Sequence, residues 1–374
     1  MRGQACLTSV NLLIVIGGIM TDEKLCEWLL ACADTPIRCR VLRELLCDEK
    51  AAEKLEPELF QNPVVALWLK NLRPQNPQHR SMAHGSFDFC LENALLKLVR
   101  LGLHCGQKPM VEALRFYTLK SDGEASGGQE FLAIITANLL SAAGTDDEFC
   151  HRFMLDRLDR MCEFAKAANF DIYLDEAGRE MLKGVPAIWR NSEHFIAPDI
   201  LRKYGYSLPF VYDIVGVYTL YALNNPEIDK KIDFLISLIA TDEFHRKIAD
   251  GYGILVGDGK KYHHMGWDPL FPGWFGAAKF MESGNPSKLL FFAENVANYP
   301  SAVKTRWFSG LIDYLETYRT PRGTYLFPTS WLREERGYAV LGHHLSFGEN
   351  RRKRGWSEIE STFFMLLLKR AAKV

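Results

Sequence analysis

Two His-His pairs stand beside acids and aromatics: "YHHMGWDPLFPGW" at 262–274 and "GHHLSFGENRRKRGW" at 342–356. Histidine changes charge near neutral pH, so such a pair can act as acid and base. The first stretch holds His263, His264, Trp267 and Asp268, with Trp274 behind them. The second holds His343, His344, Glu349, Arg351 and Arg352, whose guanidinium forks match carboxylate or phosphate. Two further clusters also run straight into apolar helical stretches. "HGSFDFCLEN" carries His84, Asp88 and Glu92, the two acids being four apart as on one helical face. "YSLPFVYD" carries Tyr206, Tyr212 and Asp213. This pattern assigns proton transfer to His84, Asp88, Asp213, His263, His264, Asp268, His343 and His344. Ligand contacts fall to Glu92, Tyr212, Trp267, Trp274, Glu349, Arg351 and Arg352.

Each cluster also has a plainer reading. A His-His pair often anchors a loop through hydrogen bonds, and Arg351–Arg354 suits a solvated loop tip. Trp267, Phe271, Trp274, Trp307 and Trp331 suit a core as well as a cavity wall. Metal sites depend on spatial convergence, so the metal question stays open, and no cofactor is expected.

The elements that must position these residues read as helices. "DEKLCEWLLACA", "PIRCRVLRELLCDEKAAEKL", "CLENALLKLVRLGL", "PEIDKKIDFLISLIA" and "SEIESTFFMLLLKRAAK" repeat apolar residues every three or four positions. Asp34-Thr35-Pro36 predicts a cap with proline in the first turn, and Gly102 a helix end. Helices come in pairs: over 212–240, "NNPEID" predicts a C-cap, a turn and a proline restart. No convincing alternating strand is found, and the Gly/Pro-rich 262–274 stretch is expected to be neither helix nor strand. With no linker or charge block, residues 20–374 are expected to form one all-α domain, a closed α/α array. The helices "VNLLIVIGGIM" could form are too short to span a bilayer, and no transmembrane segment is expected. Residues 1–19 are expected to be a dispensable extension. Met20 would be the true start, because Gly17-Gly18 codons can spell a ribosome-binding sequence.

Forty-five Lys and Arg oppose 46 Asp and Glu, a net charge of −1 that gives no electrostatic case for nucleic acid. Nine cysteines, an odd number without a CxxC pair, favour reduced thiols and a cytoplasmic location.

"TPIRCRVLRELL", "HGSFDFCLENALLKLVRLGL", "YDIVGVYTLYALNNPEIDKKIDFLISLI" and "GENRRKRGWSEIESTFFMLLL" together resemble bacterial proteins of the prenyltransferase and squalene-cyclase repeat superfamily. The resemblance runs loosely over residues 30–370 and implies an α/α toroid, with inner and outer helical rings around a central cavity. The Asp-x-Asp-Asp acid of class II terpene cyclases and their Gln-Trp repeats are absent. Asp146-Asp147-Glu148 is followed by Cys150 where the class I metal motif has an acid, and reads as an acidic helix start. The resemblance therefore implies fold rather than a particular activity.

Three functions follow as expectations. The first is an enzyme acting on a hydrophobic small molecule, of isoprenoid or polycyclic type, in an aromatic cavity by acid/base chemistry. The second is an α/α-barrel carbohydrate lyase or epimerase using the histidines. The third is a non-catalytic small-molecule-binding protein.

Overall fold

A computed structural model describes residues 20–73, 83–115, 117, 127–167, 170–180, 185, 195–197, 200, 203–204, 207–250, 254–258, 261–265 and 268–373, with only the backbone of 127–129 and 254–265. The expected extension 1–19 and Trp267 lie outside these residues, as do the side chains of His263 and His264.

Local chemistry starts most helices where the sequence reading expects them. Helix α1 (Asp22–Cys32) begins at Thr21, whose hydroxyl accepts from the Lys24 N–H. Helix α2 (Thr35–Arg40) carries Pro36 in its first turn and widens into a π-helical turn at Val41–Leu45. Helices α3 (Glu49–Gln61) and α4 (Pro63–Leu72) are capped by Asp48 and Asn62. Helix α5 (Leu91–Arg100) ends at Gly102, and after it α6 (Lys108–Leu114) restarts on Pro109. Then come α7 (Gly127–Ala142), α8 (Glu148–Ala167) and the short α9 (Glu176–Glu180). Helix α10 (Val211–Gly216) continues as a 3-10 turn, Val217–Leu223. It closes on left-handed Asn224 (φ 51°), and Asn225 and Pro226 open α11 (Pro226–Ile239). Helix α12 (Asp242–Lys247) precedes a hairpin of β1 (Ile254–Asp258) and β2 (Lys261–Met265). Helices α13 (Ala277–Ser283), α14 (Pro286–Val296), α15 (Pro300–Val303), α16 (Arg306–Glu316) and α17 (Trp356–Ala372) complete the order.

The described chain is therefore helical apart from this hairpin. The hairpin corrects one expectation, because Tyr262–Met265 pairs antiparallel with Ile254–Gly257, Val256 opposite His263. The prolines and glycines that disfavour a strand begin only at Gly266, so the first four residues of the stretch are left to pair. A second difference concerns Asp88, which lies in the turn before α5, three residues short of Leu91. It does not share a helical face with Glu92.

Burial separates two kinds of helix. All six residues of α10 are buried, as is the whole run Ile359–Leu366 of α17. Helix α11, by contrast, buries a single face of Ile232, Leu235, Ile236 and Ile239. Helix α7 packs on α5 and α10, α10 on α14, α14 on α17, and α17 on the π-helical turn. Helix α17 also meets α1, so the two ends of the described chain are joined. Lys369 of α17 and Lys373 just past its end tie to Asp22 at 3.1 and 2.6 Å. Among the described residues, no helix is long and apolar enough to cross a membrane.

Gly342 sits where the loop before α17 crosses α14. Its φ is +85°, and a Cβ there would lie 2.2 Å from the Ser287 carbonyl carbon. Gly342→Ala should cost about 1–3 kcal/mol, read as a lower urea midpoint at unchanged slope. An unchanged midpoint would mean that the loop does not pack this closely.

Candidate functional site

The first constellation gathers at the N-terminal ends of α5 and α10. Glu92, in the first turn of α5, is fully buried and accepts from the Gly85 N–H at 2.9 Å. The Tyr212 hydroxyl, from α10, donates to the other carboxylate oxygen. His84 Nδ1 lies 3.1 Å from both that oxygen and the Tyr212 hydroxyl. Asn93 fixes the loop that carries His84, donating to the carbonyls of Gly85 and Phe87 at 2.9 Å each. Phe131 of α7 meets the His84 ring edge-on, and Tyr338 lies over it at 5.2 Å. Burial first, then the Glu92 carboxylate, holds the Tyr212 phenol far above its ordinary range. Tyr212 therefore stays a proton donor. The imidazole is 23% exposed, while Glu92 and Tyr212 are sealed behind it. A carboxylate beside an imidazole orients the ring and favours the cation formed when it takes a proton.

The second constellation lines a cavity of about 480 Å³. Arg40, Glu44, Lys97, Arg100, Glu294 and Tyr218 supply its polar wall, and Val99, Val215, Phe291 and Leu345 part of its apolar one. The Arg40 guanidinium donates to Glu44, to Glu294 and to the Arg100 carbonyl (2.9 Å). Arg100 Nε donates to the Leu345 carbonyl at 2.7 Å, and Nη1 pairs with Glu294. Lys97 is buried and reaches Glu334 and the Ser346 carbonyl, each at 2.6 Å. Burial lowers the Lys97 ammonium from its ordinary range; at Glu334 burial is opposed by Lys97 and His344, which together hold that carboxylate down at about 2.

Of the residues singled out from sequence, His343 and His344 line this cavity. His343 lies 3.6 Å from Glu335. His344 adopts a left-handed backbone (φ 63°), sits edge-on to Trp68 and approaches Asp88 at 3.8 Å. Asp213 is elsewhere in the core, bound by Arg157, Asn138 and the Phe210 N–H. Asp268 is buried and accepts from the Leu270 N–H at 3.0 Å. Trp274 stacks on His245 at 4.4 Å and donates to Asp242. Glu349 is buried against Asp34 and Lys353, and burial pushes its carboxyl up to about 7. Arg351 lies over Trp356 at 4.5 Å, and Arg352 is exposed. Phe271, Trp307 and Trp331 are core, so the aromatic wall expected of the cavity reduces to Tyr218 and Phe291.

Arg40, Lys97, Arg100, Glu294 and Glu334 were not singled out from sequence. Their signal was faint: Asn93, Lys97 and Arg100 recur as the polar stripe of an amphipathic helix, which normally faces water. Asp147, by contrast, behaves as the acidic start of α8, accepting from the Cys150 N–H at 2.7 Å. Burial pushes the thiols of Cys32 and Cys150 up to about 12, and those of Cys39, Cys105 and Cys162 to about 11. These five are apolar filling rather than nucleophiles. Among the described residues, no group of three or more His, Cys, Asp or Glu side chains is placed to hold a metal ion. No family model, curated protein or solved structure matches the chain.

Proposed function

We propose that the chain is an α/α-toroid enzyme that moves a proton on a polar small molecule, in the manner of a carbohydrate lyase or epimerase. The hydrogen-bonded His84–Glu92–Tyr212 cluster carries this reading. Buried side chains that lock a partly exposed imidazole equip it to take a proton and return it. His84 takes the proton and returns it, Glu92 orients and charge-balances the ring, and Tyr212 donates to Glu92 and holds that carboxylate in place. The toroid is supported by the succession α5, α7, α10, α14, α17 and the π-helical turn, each in contact with the next. The Arg40 side chain links that turn back to α5 through the Arg100 carbonyl. Helices buried on every side fit an inner ring, and one-faced helices such as α11 an outer one.

An imidazole, a carboxylate and a phenol hydrogen-bonded together favour a substrate with polar groups over the isoprenoid or polycyclic one that an aromatic cavity would suit. Membership of the prenyltransferase and squalene-cyclase repeat superfamily remains a proposal on the same footing as the toroid. A panel of uronate oligosaccharides, followed by the ultraviolet absorbance of the unsaturated product, tests elimination directly. Isoprenoid diphosphates, followed by diphosphate release, test the other substrate class. His84→Gln should lower turnover of the polar substrate about 10²-fold or more while leaving the melting temperature close to that of the unaltered chain. Turnover of isoprenoids alone, or an undiminished rate in His84→Gln, would overturn the reading.

A further inference from the structure

The cavity lies where α5, α14, α17 and the π-helical turn end. Its charged residues close on one another. Arg40 pairs with Glu44 and Glu294, Arg100 with Glu294, and Lys97 with Glu334. Arg100 Nη2 has no acceptor but is sealed from water, out of reach of a ligand. Arg370 is exposed and turns to the Cys47 Sγ at 3.0 Å. An ionic ligand would have to break pairs that already satisfy each other, and that loss would offset its gain.

Two uncharged groups of the wall are left open. The Tyr218 hydroxyl and Asn295 Oδ1 have no hydrogen-bond partner among the described residues, and neither atom is sealed from water. The Tyr218 ring meets Tyr299 edge-on, and Asn295 Nδ2 donates to the Phe291 carbonyl at 2.8 Å, so each presents its free oxygen from a fixed side chain. Burial first, then the Glu44 carboxylate, pushes the Tyr218 phenol up to about 12, so it keeps a proton to donate. Asn295 Oδ1 can only accept. Leu96, Val99, Val215 and Phe291 add apolar surface to the same wall. The volume of about 480 Å³ falls within the range of small-molecule sites. We propose that this cavity binds an uncharged polyhydroxylated molecule of monosaccharide size. Its hydroxyls donate to Asn295 and exchange hydrogen bonds with Tyr218, while its C–H faces meet the apolar wall. The π-helical turn that carries Glu44 supports a binding role, since such turns interrupt regular helices most often at functional sites.

The inference stands apart from the catalytic reading, because His84, Glu92 and Tyr212 gather at the other end of α5 and none of them lines the cavity. Binding is read without turnover, so the two can fail separately. The full chain would be titrated with glucose, galactose, mannose and myo-inositol, each followed by calorimetry and saturation-transfer NMR. Cyclohexanol supplies a ring of similar size with one hydroxyl, and glucuronate and glucosamine supply charge of either sign. At least one of the four uncharged polyols should bind, about tenfold or more tighter than cyclohexanol and than either charged sugar. Tyr218→Phe removes only the hydroxyl and should weaken that polyol about five- to tenfold. Asn295→Leu keeps the size of its side chain and should weaken it similarly, so a folding failure of one variant leaves the other as the test. No binding by any of the four, cyclohexanol or a charged sugar as tight as the best polyol, or unchanged affinity in a folded variant would each overturn the assignment.

Discussion

Asp213→Ala should destabilise the protein by about 3–5 kcal/mol, the loss expected when one partner of a buried ion pair is removed. Asp213 and Arg157 are each 2% exposed. The guanidinium grips the carboxylate from Nη2 at 2.7 Å and Nε at 3.1 Å. Asn138 adds a donor at 3.0 Å and the Phe210 N–H another at 2.7 Å. Arg157 also donates to the Leu208 carbonyl at 2.6 Å, so one network holds α7, α8 and the start of α10 together. Alanine would strand the guanidinium in the core, where solvation cannot replace the lost carboxylate. The double replacement Arg157→Leu with Asp213→Leu should recover most of the loss, because no charge would then remain buried. Urea unfolding at constant slope checks both. A loss below about 1 kcal/mol for Asp213→Ala would show the pair to be solvated.

The second large effect is a steep loss of stability below pH 4.5. Burial depresses His245 from an ordinary 6.5 to about 3. Its unfolded form therefore takes a proton below 6.5 that the folded form refuses, and stability falls as pH drops through that window. Glu334, which Lys97 and His344 together lower from 4.5 to about 2 against its burial, acts in the same direction below 4.5. Glu349 acts oppositely. Burial raises it from 4.5 to about 7, so the folded state holds a proton the unfolded one has released, and stability declines as pH rises from 4.5 to 7. Between 4.5 and 6.5 His245 and Glu349 offset each other, and the profile should be nearly flat. Below 4.5 His245 and Glu334 add, on the order of 3–5 kcal/mol by pH 3. His245→Phe keeps the stack on Trp274 without the titrating nitrogen, and should halve the acid slope. Melting temperatures of both proteins across this range decide it. An identical slope in His245→Phe would exclude His245 as the cause.

Helix positions were legible because caps and apolar spacing are local. Asn224-Asn225-Pro226 ends one helix and starts the next as its chemistry requires. Asp34 shows the limit: it stands at the N-cap of α2, but its carboxylate accepts from the Asn350 N–H and from Lys353 instead. Long-range partners took a side chain that local rules assign to the helix end. The same limit hid the cavity. On α5 both Leu98 and Lys97 are buried, so the polar stripe faces α14 and the loop before α17 rather than solvent. Periodicity reports that a helix has two unlike faces, and only the neighbours decide which of them meets water. The His84, Glu92 and Tyr212 grouping could be named residue by residue, but its joining of positions 120 apart in sequence needed the packing of α7 against both α5 and α10.

The contact of α17 with α1 and the π-helical turn has a consequence during synthesis. Some 320 residues separate α1 from α17, so at about 5–20 residues per second the ribosome makes the second roughly 16–65 s after the first. Throughout that interval the sides of α1 and the π-helical turn that meet α17 await a covering that the nascent chain does not yet contain. Newly made chains are therefore most exposed to aggregation, and most dependent on chaperones, before α17 emerges, and a translational pause ahead of it would lengthen that exposure.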